Sequence, residues 1–285
     1  MVRRRNRLEN NQDIGTLYLV GTPIGNLGDI TLRALETLKS VDLIAAEDTR
    51  QTKKLLVHFS IKKPVTSYYE HNKRTKGEVI IEKLLIGKKV ALVSDAGMPG
   101  ISDPGSDLVR ECIEKNIEIS VIPGPSAVVA GLVASGQDTS AFVYGGFFPR
   151  QTKDKKKLME QLAKEPRTIV FYESPHRLCQ TLEEIKKNWG DRNCCVAREI
   201  TKIYEEFKRG TLSEVLQYYQ ERNVKGEITL IIGGYKPETT IFSWEEIEAR
   251  VGVLIGRGLS KKEAIKESAA EYGIPRRDLY NRLMK

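Results

Sequence analysis

With 285 residues, 40% of them hydrophobic and 29% charged, the chain has the balance of a globular protein with room for about two or three domains, which excludes a miniature stapled scaffold. Its 46 Lys and Arg outnumber 38 Asp and Glu, for a formal charge of +8, so a polyanionic partner is physically reasonable but not required. The richest apolar run, 121–134, is broken by Pro123, Gly124, Pro125 and Gly131, and neither a membrane span nor an apolar signal region is expected.

Residues 1–14 carry Arg3, Arg4, Arg5 and Arg7 with almost nothing apolar, and read as a basic flexible arm. From Gly15 onward short β-rich runs alternate with longer segments of helical period, the pattern of an α/β protein. Strands are expected over 16–20, 42–46, 65–68, 90–93, 117–122, 168–171, 194–197 and 228–232, with another restarting at Phe142. Helices are expected over 31–39, 76–85, 107–115, 126–134, 153–163, 176–189 and 212–219. A Ser-Gly-Gln-Asp loop near 135–140 divides them into an N-terminal α/β lobe, 15–137, and a C-terminal α/β lobe, 138–235.

A Gly-Gly and Pro hinge at 233–240 leads into a helical domain, 241–285. There Ser260 and Glu263 have the spacing of a capping box, Gly273 supplies a left-handed stop and Pro275 opens another short helix. Ala269, Gly273 and Leu279 fall at the packing positions of a helix-turn-helix. Residues 249–285 hold nine Lys and Arg against four Asp and Glu, so this segment is expected to bind RNA, with a helical packing or dimerisation unit as the alternative.

Cys112, Cys179, Cys194 and Cys195 form no CxxC pair, and His58, His71 and His176 do not cluster with them. A reduced cytoplasmic protein without a metal site is expected. Glycine and proline concentrate at four strand ends, where open α/β sheets place their ligands: GTPIGN at 21–26, ALVSDAGMPGISDPG at 91–105, VIPGPS at 121–126 and TIVFYESPHR at 168–177. Neither GxGxxG nor GxxxxGK[ST] occurs, which argues against a dinucleotide dehydrogenase and a P-loop ATPase. Each element alone reads as an ordinary strand-to-helix turn; four in one chain indicate a ligand site. Asp95 and Asp103 can accept from hydroxyl or ammonium groups, and the helix after VIPGPS offers free backbone donors.

These four elements, in this order, resemble the tetrapyrrole methylase superfamily, whose members use S-adenosyl-L-methionine (SAM), over roughly 15–234. LYLVGTPIGNLGDIT, AAEDTR, SDAGMPGISDPG, VIPGPSA, FYESPHR and GEITLIIGG together are similar to the branch that 2′-O-methylates a decoding-centre cytidine of small-subunit ribosomal RNA. The resemblance implies a two-lobed fold with SAM between the lobes, against Thr22, Pro23, Ile24, Gly25, Asp95, Gly97, Met98, Ser126, Ala127, Tyr172 and Ile228. It also implies a homodimer through the α/β lobes and 16S ribosomal RNA in the small ribosomal subunit as partner. Met98 stands where the family usually carries Thr.

A ribose hydroxyl is a weak nucleophile, so a base or a cation at the developing alkoxide is expected. Glu47, Asp48, Arg50 and Lys202 are the catalytic candidates, Lys202 as a base if desolvation lowers its pKa. His71, Asn72, His176, Arg177, Arg198 and Glu199 belong to similar polar clusters, which read equally as solvated helix starts or internal ion pairs. RNA contact is expected from Arg150, Lys153, Lys155, Lys156 and Lys157 beside Phe147 and Phe148. Two other classes stay open: a tetrapyrrole methyltransferase and a SAM-sensing nucleic-acid-binding protein.

Overall fold

The computed structural model describes residues 14–103, 105–237 and 243–284. The arm expected over 1–14 lies outside them except for Ile14, as does part of the 233–240 hinge. The chain forms two compact units, one reaching Tyr235 and one starting at Lys236.

The first half of the larger unit runs β1 (Thr16–Val20), α1 (Leu32–Ser40), β2 (Leu43–Ala46), α2 (Thr49–His58), β3 (Val65–Ser67), α3 (Lys73–Leu85), β4 (Val90–Val93), α4 (Gly105–Glu114), β5 (Glu118–Ile122) and α5 (Ala127–Ser135). Its strands form one parallel sheet in the order β3-β2-β4-β1-β5. All four residues of β4 are buried, as a strand covered by helices on both faces requires. One face packs against Ile80, Ile81, Leu84, Leu108 and Cys112 of α3 and α4. The other takes Ala34, Leu38 and Leu56 of α1 and α2. Because the strands are parallel, the segments following β1, β2, β4 and β5 leave from one edge, and the sequence motifs converge there.

The second half runs β6 (Phe142–Phe147), α6 (Thr152–Leu162), β7 (Thr168–Glu173), α7 (Leu178–Trp189), β8 (Asn193–Arg198), β9 (Glu206–Thr211), α8 (Leu212–Gln220) and β10 (Ile228–Ile232). Its sheet has the order β6-β7-β10-β8-β9, parallel only between β6 and β7. Leu178, Leu182 and Ile185 of α7 and Val215, Leu216 and Tyr219 of α8 cover one face. Val128 and Leu132 of α5 cover the other. Helix α5, which the sequence expectation groups with residues 15–137, thus buries its apolar side on the second sheet and ties the lobes together.

Two elements fall outside the expected set. Helix α2 is polar along most of its length, but Asp48 caps it and Thr52 and Leu56, one turn apart, are buried. Strand β9, EFKRGT, has little apolar content because it is the sheet edge, half-exposed along its length.

The smaller unit contains α9 (Trp244–Gly256), α10 (Lys261–Glu271) and α11 (Arg276–Leu283). Capping boxes Ser243/Glu246 and Ser260/Glu263 start the first two. Gly273 has φ of 64° after α10, and Pro275 is the N-cap of α11. Ile247, Val251, Leu254, Ala264, Ile265, Ala269 and Leu279 form its core. Among the described residues no helix is long and apolar enough to cross a membrane.

Candidate active site

Strands β2 and β4 are neighbours with Ala46 opposite Val93, so Glu47-Asp48 and Ser94-Asp95 leave the sheet side by side. They lock reciprocally: the Asp48 N–H donates to Asp95 Oδ1 at 2.9 Å, and the Asp95 N–H donates to Glu47 Oε2 at 3.4 Å. The β1 loop joins them through Thr22, whose N–H donates to the Gly97 carbonyl at 2.9 Å while the Gly97 N–H returns a bond at 3.1 Å. A Cβ on Gly21 would lie 2.7 Å from the Gly124 Cα, so glycine here lets the β1 and β5 loops touch.

Two cavities of about 470 and 480 Å³ open along this edge, and they share Ile24, Asp95, Ala96 and Glu227. The first is lined by Glu47, Asp95, Gly97, Met98, Ser126, Ala127, Tyr172 and Ile228, with Ile101, Ser102 and Asp103. The second is lined by Thr22, Pro23, Gly25 and Lys202, with Gln51, Thr52 and Lys54 of α2. Of the eleven residues assigned to the cofactor from the sequence, eight line the first cavity, whereas Thr22, Pro23 and Gly25 line only the second. Asp48 and Arg50 line neither. Asp48 caps α2 by accepting from the Arg50 N–H at 2.8 Å and pairs with its guanidinium at 2.7 Å, an interaction that holds its carboxyl down at about 2. The pair fits a rim and capping role rather than a catalytic one.

Lys202 also departs from its expected role. Its ammonium contacts Glu199 at 2.8 Å and Glu227 at 3.0 Å. Burial pulls its pKa down, but the two carboxylates more than offset this and hold it above the ordinary lysine value. It is a fixed cation, not a neutral base. The turn that carries it crosses to the first lobe, where the Thr201 hydroxyl donates to Asp29 Oδ2 at 2.5 Å. Thr201 adopts φ of 67°, uncommon for a β-branched residue. A Cβ on Gly25 would fall 2.5 Å from Lys202 Cγ, so Gly25 clears the path of the lysine stem.

From the sequence Asp103 is only one acceptor within its motif. In the structure its carboxyl lies within hydrogen-bonding reach of that of Glu47 and close to Ser94, whose hydroxyl donates to the Ala96 and Gly97 carbonyls at 3.2 and 3.3 Å. Burial, then the Glu47 charge, push Asp103 up to about 7. Burial, with the Asp95 charge, raises Glu47 as well. Above this pair the Ser102 hydroxyl lies 2.6 Å from the Tyr144 hydroxyl, joining the β4–α4 loop to the second lobe. Tyr172 stands edge-on to Tyr144 and Phe147.

The remaining candidates lie elsewhere. Asn72 closes its own turn by accepting from the Tyr69 N–H and donating to Ser67. Arg177 pairs with buried Glu173, and Arg198 with Glu206. Phe148 is core, whereas Phe147 is 60% exposed at the mouth of the first cavity. Lys155 is held by Glu184.

The profile of the Tetrapyrrole (Corrin/Porphyrin) Methylases matches residues 16–216. A Halalkalibacterium halodurans protein named ribosomal RNA small subunit methyltransferase I is 49% identical, with 96% of each chain covered. The chain belongs to this methylase family. A Bacillus subtilis family member of the same name is 47% identical, over 99% of this chain and 98% of its own. Among solved structures, a diphthine synthase superposes with a TM-score of 0.62 at 15% identity, covering 77% of this chain and 90% of that one. Cobalt precorrin-4 methyltransferase superposes at 0.57 and 17% identity, covering 80% and 98%. At that identity these two establish the shared fold alone.

Proposed function

We propose that the chain is a cytoplasmic SAM-dependent methyltransferase of small-subunit 16S ribosomal RNA, acting on the 2′-oxygen of a cytidine ribose in the decoding centre. The observation that carries the reading is the pair of abutting cavities with one shared wall of Ile24, Asp95, Ala96 and Glu227, the geometry needed to bring two substrates together for direct group transfer. The name shared by the two bacterial relatives supports the choice of acceptor.

The residues of the first cavity fit SAM. Met98, Ile101 and Ile228 offer apolar walls to an adenine, and Glu47, Asp95 and Asp103 form no salt bridge among the described residues, which suits a cationic ligand. The open first turn of α5 at Ser126 and Ala127 suits its carboxylate. When bound, SAM supplies a methyl group activated on a sulfonium.

Lys202 then faces the acceptor side of the shared wall as a permanent cation that stabilises a developing ribose oxyanion. The Glu47–Asp103 carboxyls provide the nearby proton acceptor. Exposed Phe147, with Arg150, Lys153, Lys156 and Lys157, supports docking of single-stranded RNA by stacking and phosphate contact. The basic helix α11, with three arginines against one aspartate, serves the same partner. Val129 and Val133, 52% and 67% exposed on the outer side of α5, support a homodimer through the α/β lobes.

The test is incubation of purified protein with radiolabelled SAM and unmodified small subunits, followed by digestion of the RNA and nucleoside mass analysis. A ribose-methylated cytidine is expected. SAM binding without label in RNA would transfer the assignment to a tetrapyrrole acceptor or a sensor.

A further inference from the structure

The first cavity contains two carboxyl groups that approach each other and, among the described residues, have no counter-charge. Glu47 and Asp103 line the same cavity wall within hydrogen-bonding reach of each other, and burial with neighbouring carboxylate charge raises both carboxyls, which favours a proton held between them. The groups around them do not replace that proton. Asp95 is another anion; Glu173, on the same wall, is paired with Arg177; Asp48 and Arg50 are closed on each other; Lys202 is bound by Glu199 and by Glu227, which also lines the cavity. Across the cavity Tyr144 and Tyr172 are both raised above the ordinary tyrosine value, chiefly by burial, and both feel the Asp103 charge. The Ser94 hydroxyl is turned to the Ala96 and Gly97 carbonyls.

A site built this way responds to the charge of what enters it. SAM carries a sulfonium, whereas S-adenosyl-L-homocysteine (SAH) has the same adenosine and amino-acid groups and a neutral thioether. We propose that the Glu47–Asp103 pair is the specificity-determining element of this cavity, releasing its shared proton to solvent when a cationic ligand enters and recovering a proton when that positive charge is gone. The proposal rests on the cavity being the SAM site. Its consequence is that arrival of the cofactor ionises the groups placed to accept the ribose proton, while the uncharged product leaves a pair that prefers to be protonated.

Calorimetric titration of the full chain with SAM and with SAH, in buffers of different ionisation enthalpy, counts the protons exchanged. With Asp103 at about 7, SAM should release roughly half a proton at about pH 7 and progressively less above about pH 8. SAH should release none. Asp103→Asn should abolish the release and cut the preference for SAM over SAH about tenfold; Glu47→Gln should act in the same direction, and circular dichroism melts establish that each variant is folded. If SAM binds the wild type with no proton released between about pH 6 and about pH 8, or if SAH releases as much, the proposal is overturned while the cofactor reading stands. If neither ligand binds the wild type, both fall together.

Discussion

Asp103 shows how a single carboxyl acquires a role through its surroundings. Its folded pKa of about 7 lies above the ordinary 3.8, so between these values the folded chain holds a proton that the unfolded chain has lost. The group's contribution to stability is therefore largest below about pH 4 and is lost as pH rises through about 7. Without ligand, Asp103→Asn should raise the melting temperature relative to wild type above about pH 7, and the difference should vanish toward about pH 4; thermal melts across this range check it. Gly25 makes a different prediction. An alanine methyl there meets the Lys202 stem and displaces its ammonium, so Gly25→Ala should slow methyl transfer about tenfold, roughly 1.4 kcal/mol in barrier, with SAM affinity nearly unchanged, as read by single-turnover rates and calorimetry. Neither effect is legible in the sequence. Glycine and proline at strand ends mark where a ligand lies, but the meeting of Glu47 with Asp103, or of Lys202 with Glu227, depends on strands far apart in the chain. The charge state of Lys202 departs from expectation in part for that reason: burial alone lowers a lysine, and although Glu199 lies in its own turn, Glu227 reaches it from the segment before β10.

Among elements, legibility follows burial. Strand β4, VALV, and strand β10, ITLII, are wholly buried and are readable at their observed limits because a continuous apolar run is a strong signal. Helix α2 and strand β9 are the opposite case. Their ends and pairings come from a cap and an edge, which leave little hydrophobic trace. Helix α5 is readable as a helix, but its partner is not, since an apolar helix does not reveal which sheet it will cover. Leu132 is 3% exposed against the second sheet, so Leu132→Ala should destabilise the larger unit by about 2–5 kcal/mol. Urea denaturation measures this, and a loss near zero would mean that α5 does not anchor on that sheet.

For the whole molecule, the alternation of β-rich and helical segments is sufficient to read an α/β protein with a helical C-terminal segment, because both periodicities are local. The smaller unit has its own core. Arg276 and Arg277 of α11 are exposed, whereas Arg282 is engaged with Glu248 and Trp244. Removing residues 236–285 should leave SAM affinity unchanged, weaken binding to small-subunit RNA and flatten its salt dependence, by about one unit of log–log slope for each phosphate that the truncated chain no longer neutralises. Filter binding over a salt series, with calorimetry for SAM, separates these effects. Equal loss of both ligands would assign the segment a folding role instead.

Helix α5 begins at the rim of the first cavity and continues as the cover of the second sheet's core. That helix packs on the second sheet alone and joins the first through the short link from β5, so at this point the path of the chain, not a shared core, holds the two sheets together. Two further links cross between the lobes beside the cavities: the segment from Asp95 to Asp103, fastened by Ser102 to Tyr144, and the turn from Glu199 to Glu205, fastened by Thr201 to Asp29. Like two latches on one door, these bonds make any parting of the lobes along this edge conditional on both of them breaking.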